Sequence, residues 1–344
     1  MKPIYIVSWL FALAVSFVSC DDWLDKTPKD RLYPDVYFKT EDELRLFTNQ
    51  FYNNLVPSAV DIYSESSDLI VKSDLMLEMS GQRIIPDEGN GWNFTALRDI
   101  NFYLQYSHNC TEVNARNRYD GVARFFRAYF YFEKVKRYGD IPWYDKALDS
   151  DDPELYKARD SREFVMQKML EDLDFAIANL PKTKNAYVLT RWTALALKSR
   201  VCLFEGTFRK YHGLEDCEKY LNACVSASET FMNESGYTLY KSGSTPYRDL
   251  FASINLQADE VIFGRDYEAS LSVLHNVQNY ENSTTMGRPG MNKKIVNSYL
   301  MADGSRFTDK AGYETMTFDQ ECQNRDPRLA HIRESEVQRK KPRT

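Results

Sequence analysis

Residues 16–25 read SFVSCDDWLD, and the cysteine at their centre carries the clearest chemistry in the chain. Lys2 is followed by fifteen uncharged residues, Ile4 to Val18, and small residues lead into Cys20. A membrane span needs about 20 apolar residues, whereas a secretory signal core needs about 7–15. The run therefore reads as a signal. The residues before Cys20 fit a bacterial lipoprotein processing site at two positions, Val18 and Ser19, while Phe17 stands where Leu is usual. The expectation is that residues 1–19 are removed and that Cys20 is diacylated, since two acyl chains hold a protein on a membrane without crossing it. The competing reading is a buried N-terminal helix ending at a core cysteine, but WLFALAVSF lacks the polar face of a surface helix.

The remaining reactive residue types form no recognisable centre. Cys217 and Cys224 lie seven apart in a helical pattern, about 10 Å along the axis and too far to bridge, so they read as small core residues. Cys110, Cys202 and Cys322 have no metal-ligand spacing, and the four histidines are scattered. No metal or cofactor is expected. G-x-S-x-G, H-E-x-x-H and P-loop motifs are missing, so no catalytic residue is assigned. A glycosidase needs only two suitably placed carboxylates, and the 50 Asp and Glu residues leave that alternative open. The formal charge of −6, with no basic stripe before the last few residues, argues against nucleic acid. An aromatic content of 14% can fill a helical core or supply platforms for sugar rings, and composition cannot choose between them.

The elements that must position any site read as helices. Leu44, Phe47 and Phe51 recur at helical spacing over Glu41–Asn54, with Thr40 as N-cap. Helices are expected over Trp92–Tyr106, over Thr111–Tyr138, where FFRAYFYF is apolar nearly all round, and over Ser161–Leu180. Asp160 and Glu163 have capping-box spacing before the last of these. Thr190 caps a further helix containing Ala194 and Ala196, and the cysteine-bearing helix runs to about Met232, with Leu214, Cys217, Leu221, Cys224, Val225 and Ser228 on one face. Paired helices with small residues at their crossings imply a mainly α, tetratricopeptide-like stack of hairpins over residues 41–236. The repeats are degenerate. After Tyr237 the apolar segments shorten and turn residues multiply, which predicts an irregular, loop-rich region over 237–344.

Six stretches in order resemble the SusD/RagB family of outer-membrane nutrient-binding lipoproteins. They are CDDWLDKTPKD, ARFFRAYFYFEKVKRYGDIPW, REFVMQKMLEDLDFAIANLP, LTRWTALALKSRVCLFEGTF, VNSYLMADGSRF and NRDPRL, and together they span almost the whole chain. The resemblance implies a tetratricopeptide-type scaffold bearing an irregular ligand-binding part. It also implies a surface lipoprotein that binds glycans or other oligomeric nutrients and passes them to a TonB-dependent, SusC-like outer-membrane transporter. Asp21 and Asp22 resemble the acidic signal that sends such lipoproteins to the outer face. Residues 20–40 are then anchor and linker, and a scaffold that binds a protein peptide is the remaining alternative.

In family members the segment before the third helix contributes to the ligand face, here SDLMLEMSGQRIIPDEGNGWNF. The residues implied are Trp92 as a flat ring, Asn93 as an amide, and Asp74 and Arg83 as charged hydrogen-bonding groups, with Tyr280 opposite. An aromatic plate flanked by planar polar groups suits the C–H face and hydroxyl rim of a sugar. Trp92 reads equally well as an anchor at the helix entry, and Asp74 and Arg83 as partners of each other. Members of the family also continue well beyond N-R-D-P-R-L. The chain is therefore expected to lack the family's C-terminal portion and to leave aromatic segments after Tyr237 partly uncovered.

Overall fold

The structure is a computed structural model that describes residues 34–57, 70–71, 77–84, 89, 91–275 and 290–329. The signal segment, Cys20, Asp74, Tyr280 and the basic tail from Arg339 lie outside the described residues.

Among the described residues, six long helices carry the fold. They are α1 (Glu41–Leu55), α2 (Thr95–Tyr106), α3 (Val113–Tyr138), α4 (Arg162–Asn179), α5 (Arg191–Tyr211) and α6 (Cys217–Glu234). Local chemistry sets their ends. Thr40 accepts from the Glu43 amide while the Glu43 carboxylate accepts from the Thr40 amide, closing the capping box before α1. Thr190 caps α5 through the Thr193 amide, and Gly139, at φ 71°, ends α3 in a conformation that only glycine adopts freely. At α4 the expected box from Asp160 is replaced by Ser161, whose hydroxyl accepts from the Phe164 amide. Asp160 instead accepts from the Trp143 amide at 2.7 Å, and Glu163 turns towards α5 and α6.

Successive helices run antiparallel and pack side by side, as the stack of hairpins requires. Arg127 of α3 pairs with Asp172 of α4, while Gly121, earlier on α3, faces Leu180 at the far end of α4. Arg162 at the start of α4 meets Glu205 near the end of α5, and Asp174 meets Lys198. Arg191 at the start of α5 reaches Glu234 at the end of α6. The Glu205 carboxylate is fully buried yet accepts from both Arg162 and Arg209, so it is a paired charge rather than an orphan one.

Much of the core is aromatic. Phe38, Phe47, Phe51, Tyr103 and Phe126 join α1, α2 and α3 through edge-to-face and stacked contacts. Phe38 adopts φ 64°, a left-handed conformation that costs about 1–2 kcal/mol for a side-chain-bearing residue. Full burial of its ring, worth about 1.5–3 kcal/mol, offsets that. On α6 the buried residues are Tyr220 and Ala227, with Cys217 and Cys224 half-buried and free. Leu214 and Val225, expected on the same face, are exposed, because the inward stripe follows Tyr220, Cys224 and Ala227.

Beyond Tyr237 the elements are short: helices Pro246–Ala252, Lys293–Ser298 and Phe318–Glu321, and a two-residue antiparallel pairing of Ile70–Val71 with Gly290–Met291. Phe263 packs on the main core, and the Gly264 amide donates to Ala186 O. Tyr247, Phe251, Ile254, Leu271 and Leu274 are exposed.

A close crossing lies between α5 and α6. A Cβ on Gly206 would stand 2.7 Å from the Leu221 side chain and 3.1 Å from its backbone nitrogen, so the helices must part to admit a methyl group. Gly206→Ala is expected to destabilise the fold by about 1–3 kcal/mol despite its better helix propensity. Urea denaturation that gave an unchanged or higher midpoint would contradict this packing.

Candidate functional site: an aromatic groove beside Trp92

The floor of the site begins at a buried guanidinium. Arg127 on α3 binds Asp172 on α4 through two hydrogen bonds of 2.6 and 2.8 Å, and its third nitrogen donates to Asn101 Oδ1 on α2. Asn101 in turn donates from Nδ2 to the carbonyls of Tyr144 and Lys146. Three helices and the segment after α3 are thereby tied through one planar network. The same segment is held from the other side. Tyr131 stacks on Trp143 at 4.3 Å, and its hydroxyl accepts from the Tyr144 amide at 2.6 Å and donates to Pro142 O. Burial pushes the Tyr131 phenol well above its ordinary range, against the opposing effect of the Tyr144 amide, so the donor persists at every physiological pH.

The wall is built by the turn that enters α2. Trp92 donates its amide to Gly89 O and Asn93 donates to Gly91 O, so these residues form a turn and the helix starts only at Thr95, three residues later than the sequence pattern indicates. Gly91 sits at φ 87°, where a Cβ would stand 3.3 Å from the Tyr138 hydroxyl, and its carbonyl accepts from Lys134, which pins the turn to the end of α3. The Trp92 indole meets Phe94 and Tyr138 edge-to-face at 5.3 and 4.9 Å. It nevertheless remains 39% exposed. The ring is thus held by two aromatic neighbours, as an anchor at the helix entry would be, and keeps part of its surface exposed.

Between this wall and the segment after α3 runs a groove of about 630 Å³, inside the range of about 300–1,000 Å³ common for ligand pockets. Trp92, Phe94, Leu97 and Tyr144 give it apolar surface, and Asn101 lies at its base. Arg98, Lys146, Lys157 and Arg159 supply its charged lining, and among the described residues no carboxylate lines it. The carboxylates that partner these cations stand outside. Lys146 pairs with Asp152 and Glu154, and Lys157 pairs with Asp160 at 3.0 Å while donating to Trp143 O. Arg159 lies over the Trp92 ring at 5.1 Å.

Asn93 does not join Trp92 in the groove. Its Oδ1 accepts from the Thr95 amide at the start of α2, and the residue opens into a neighbouring pocket of about 570 Å³ with Asp99, Glu133 and Lys134. Arg83 is exposed and does not line the groove. Phe94, Tyr144 and the four cations were not singled out by sequence reasoning. The usable signal was DIPWYDKALDS and PELYKAR, where aromatic and basic residues alternate in turn-forming sequence. A further cleft of about 410 Å³ between α3 and α5 is lined mainly by Phe125, Phe126, Leu197 and Phe263. Its walls are core side chains, and Arg200 and Glu260 are its only charged groups.

A family model described as "Starch-binding associating with outer membrane" and called SusD-like_2 matches residues 79–191, which contain the groove. Among curated relatives, SusD-like protein P2 of Formosa agariphila is 26% identical over 79% of this chain and 55% of its own length. SusD-like protein P38 of the same organism is 24% identical over 59% of this chain and 43% of its own length. The chain thus spans about half the length of these relatives. Among solved structures, a SusD-like protein of Bacteroides fragilis superposes with a TM-score of 0.68 at 21% identity, covering 88% of this chain and 62% of that one. A second B. fragilis structure, described as a SusD-like carbohydrate binding protein, gives 0.62 at 16% identity, over 86% and 59%. At such identities these superpositions establish the fold.

The network under the groove has a measurable signature. Asp172→Ala leaves a buried guanidinium without its partner and is expected to cost about 3–5 kcal/mol. Replacing both charges, as Arg127→Met with Asp172→Leu, should recover much of that loss. A single variant as stable as the parent in urea denaturation would mean that the pair does not hold α3 to α4.

Proposed function

We propose, for a chain that belongs to the SusD/RagB family, that it binds glycans in the groove beside Trp92 and presents them to an outer-membrane transporter. The single observation that carries this reading is a partly exposed indole, held in edge-to-face contact with Phe94 and Tyr138, beside a polar floor. An immobilised aromatic plate binds the C–H face of a sugar without first losing side-chain freedom, and flanking donors take the hydroxyls. The relatives support the same class of ligand: the matching family model names starch binding, and one superposed structure is described as carbohydrate binding. Retention rather than cleavage is proposed, because the matching family model and the superposed structure are described by binding.

The remaining parts of the proposal concern place. Acylation of Cys20 would tether the helical stack at the outer surface, and a tether raises the effective concentration of the binder near a transporter in the same membrane. A soluble stack on a lipid anchor moves nothing across a bilayer by itself, so a membrane-spanning partner completes the function. A TonB-dependent barrel of the SusC type is the partner proposed.

Two experiments follow. Trp92→Ala should weaken oligosaccharide binding about tenfold or more, equivalent to about 1.4 kcal/mol, in affinity electrophoresis across a panel of soluble glycans. Unchanged retardation, in a variant whose melt matches the parent, would remove Trp92 from the site. Pull-down of the chain from detergent-solubilised outer membrane of its native host should co-elute a large β-barrel. An eluate without one would remove the transporter from the proposal.

A further inference from the structure

The groove beside Trp92 is one-sided in its chemistry. A neutral sugar hydroxyl both donates and accepts, and sites for neutral sugars offer side chains of both kinds. Among the described residues, the charged lining consists of four cations, Arg98, Lys146, Lys157 and Arg159, with no carboxylate. Two of the four are largely satisfied from behind, Lys146 by Asp152 and Glu154 and Lys157 by Asp160 and Trp143 O. The other two are not. Arg98 has one carboxylate, Asp149, at 4.0 Å, and its Nε donates to Leu148 O. Arg159 makes no ion pair and donates no hydrogen bond among the described residues, and its contact is with the face of Trp92. Cation–π contact engages the charge but leaves the guanidinium N–H donors to be satisfied.

Resting on the reading that this groove holds a glycan, we infer that its ligand is anionic, a saccharide bearing carboxylate or sulfate groups, with Arg159 as the principal anchor for the acidic group. A guanidinium offers a planar fork that matches either anion with two parallel hydrogen bonds, and an acceptor-only ligand group suits a lining that presents only cationic side-chain charges. Trp92 then serves twice: its ring takes a sugar face and also steadies the guanidinium that takes the charge. Arg98, on the first turns of α2, is placed for a second acidic group, as on the next residue of a polymer.

The test is isothermal titration of the full chain with four probes: trigalacturonate, its carboxyl-reduced neutral counterpart, a sulfated galactan oligosaccharide, and maltotriose. The expected result is that at least one anionic probe binds about tenfold or more tighter than both neutral ones, and that added salt erases the difference. Which anionic probe binds identifies carboxylate or sulfate as the recognised group. Arg159→Gln should abolish the preference for charge, and Arg159→Lys should restore part of it as a point charge without the fork. Neutral probes that bind as tightly as the anionic ones, with Trp92→Ala still damaging, would overturn the charge inference and leave the glycan groove standing. No binding by any probe, with Trp92→Ala silent across the wider glycan panel, would overturn both. A charge preference that survives Arg159→Gln would overturn the assignment of the anchor.

Discussion

One buried pair, Arg127 with Asp172, holds together everything that makes the groove a defined shape. The pair joins α3 to α4, and through Asn101 it also joins α2 to the carbonyls of Tyr144 and Lys146. Helix packing alone would not set the position of residues 141–148, which contain no regular element beyond the single bridge between Ile141 and Asp160. Buried charge of this kind is a weak source of net stability, because desolvating both ions consumes most of what their attraction returns. Its contribution here is geometric. A guanidinium with fixed donor directions has few arrangements in which both Asp172 oxygens and the Asn101 carbonyl are satisfied, and in this one the segment after α3 lies against α2.

The helical scaffold was legible in the sequence because its signals are local. Periodicity, Thr40 and Thr190 as caps, and Gly139 as a stop depend on residues within one or two turns, and the helices appear within about three residues of the expected positions. The misplaced cap shows the limit of that reasoning. Asp160 and Ser161 both suit an N-cap, and the choice was made by a residue seventeen positions away, since the Trp143 amide claims the Asp160 carboxylate and leaves Ser161 to the helix. The face of α6 was legible in part: Leu221, Cys224 and Ser228 meet Gly206 and Ser199 of α5 as expected, whereas Val225 is exposed and the fully buried positions are Tyr220 and Ala227.

The site was legible only in part, and the reason is again one of range. Trp92 could be singled out from its chemistry and from family resemblance, but Asn93 beside it was spent on the Thr95 amide at the start of α2. Adjacent residues in a turn point in different directions, so naming a dipeptide does not name a surface. Tyr144, Lys157 and Arg159 reach the groove from a segment at least 52 residues later in the chain, and only the network below it brings them there. Composition could not separate the rings of the core from those of the site. Phe38, Phe47, Phe51, Tyr103 and Phe126 are core, and what distinguishes Trp92, which makes edge-to-face contacts of the same kind, is that it remains 39% exposed.

The charge of the groove illustrates why net charge is a poor guide to a ligand. The whole chain carries −6, which on its own would suggest repulsion of anions. Screening confines each charge to about 8–10 Å, so the nearest side chains decide what a bound group experiences. Around the groove the carboxylates have prior employment on the backbone: Asp152 accepts from the Glu154 amide and caps the turn that follows, and Asp160 accepts from the Trp143 amide. Those hydrogen bonds hold the acids behind the loop, while the longer lysine and arginine side chains reach past them into the lining. The positive lining is thus a by-product of how the loop satisfies its own amides. Arg159 is the residue to which that explanation does not extend, because no carboxylate stands behind it among the described residues and only the Trp92 ring holds it in place.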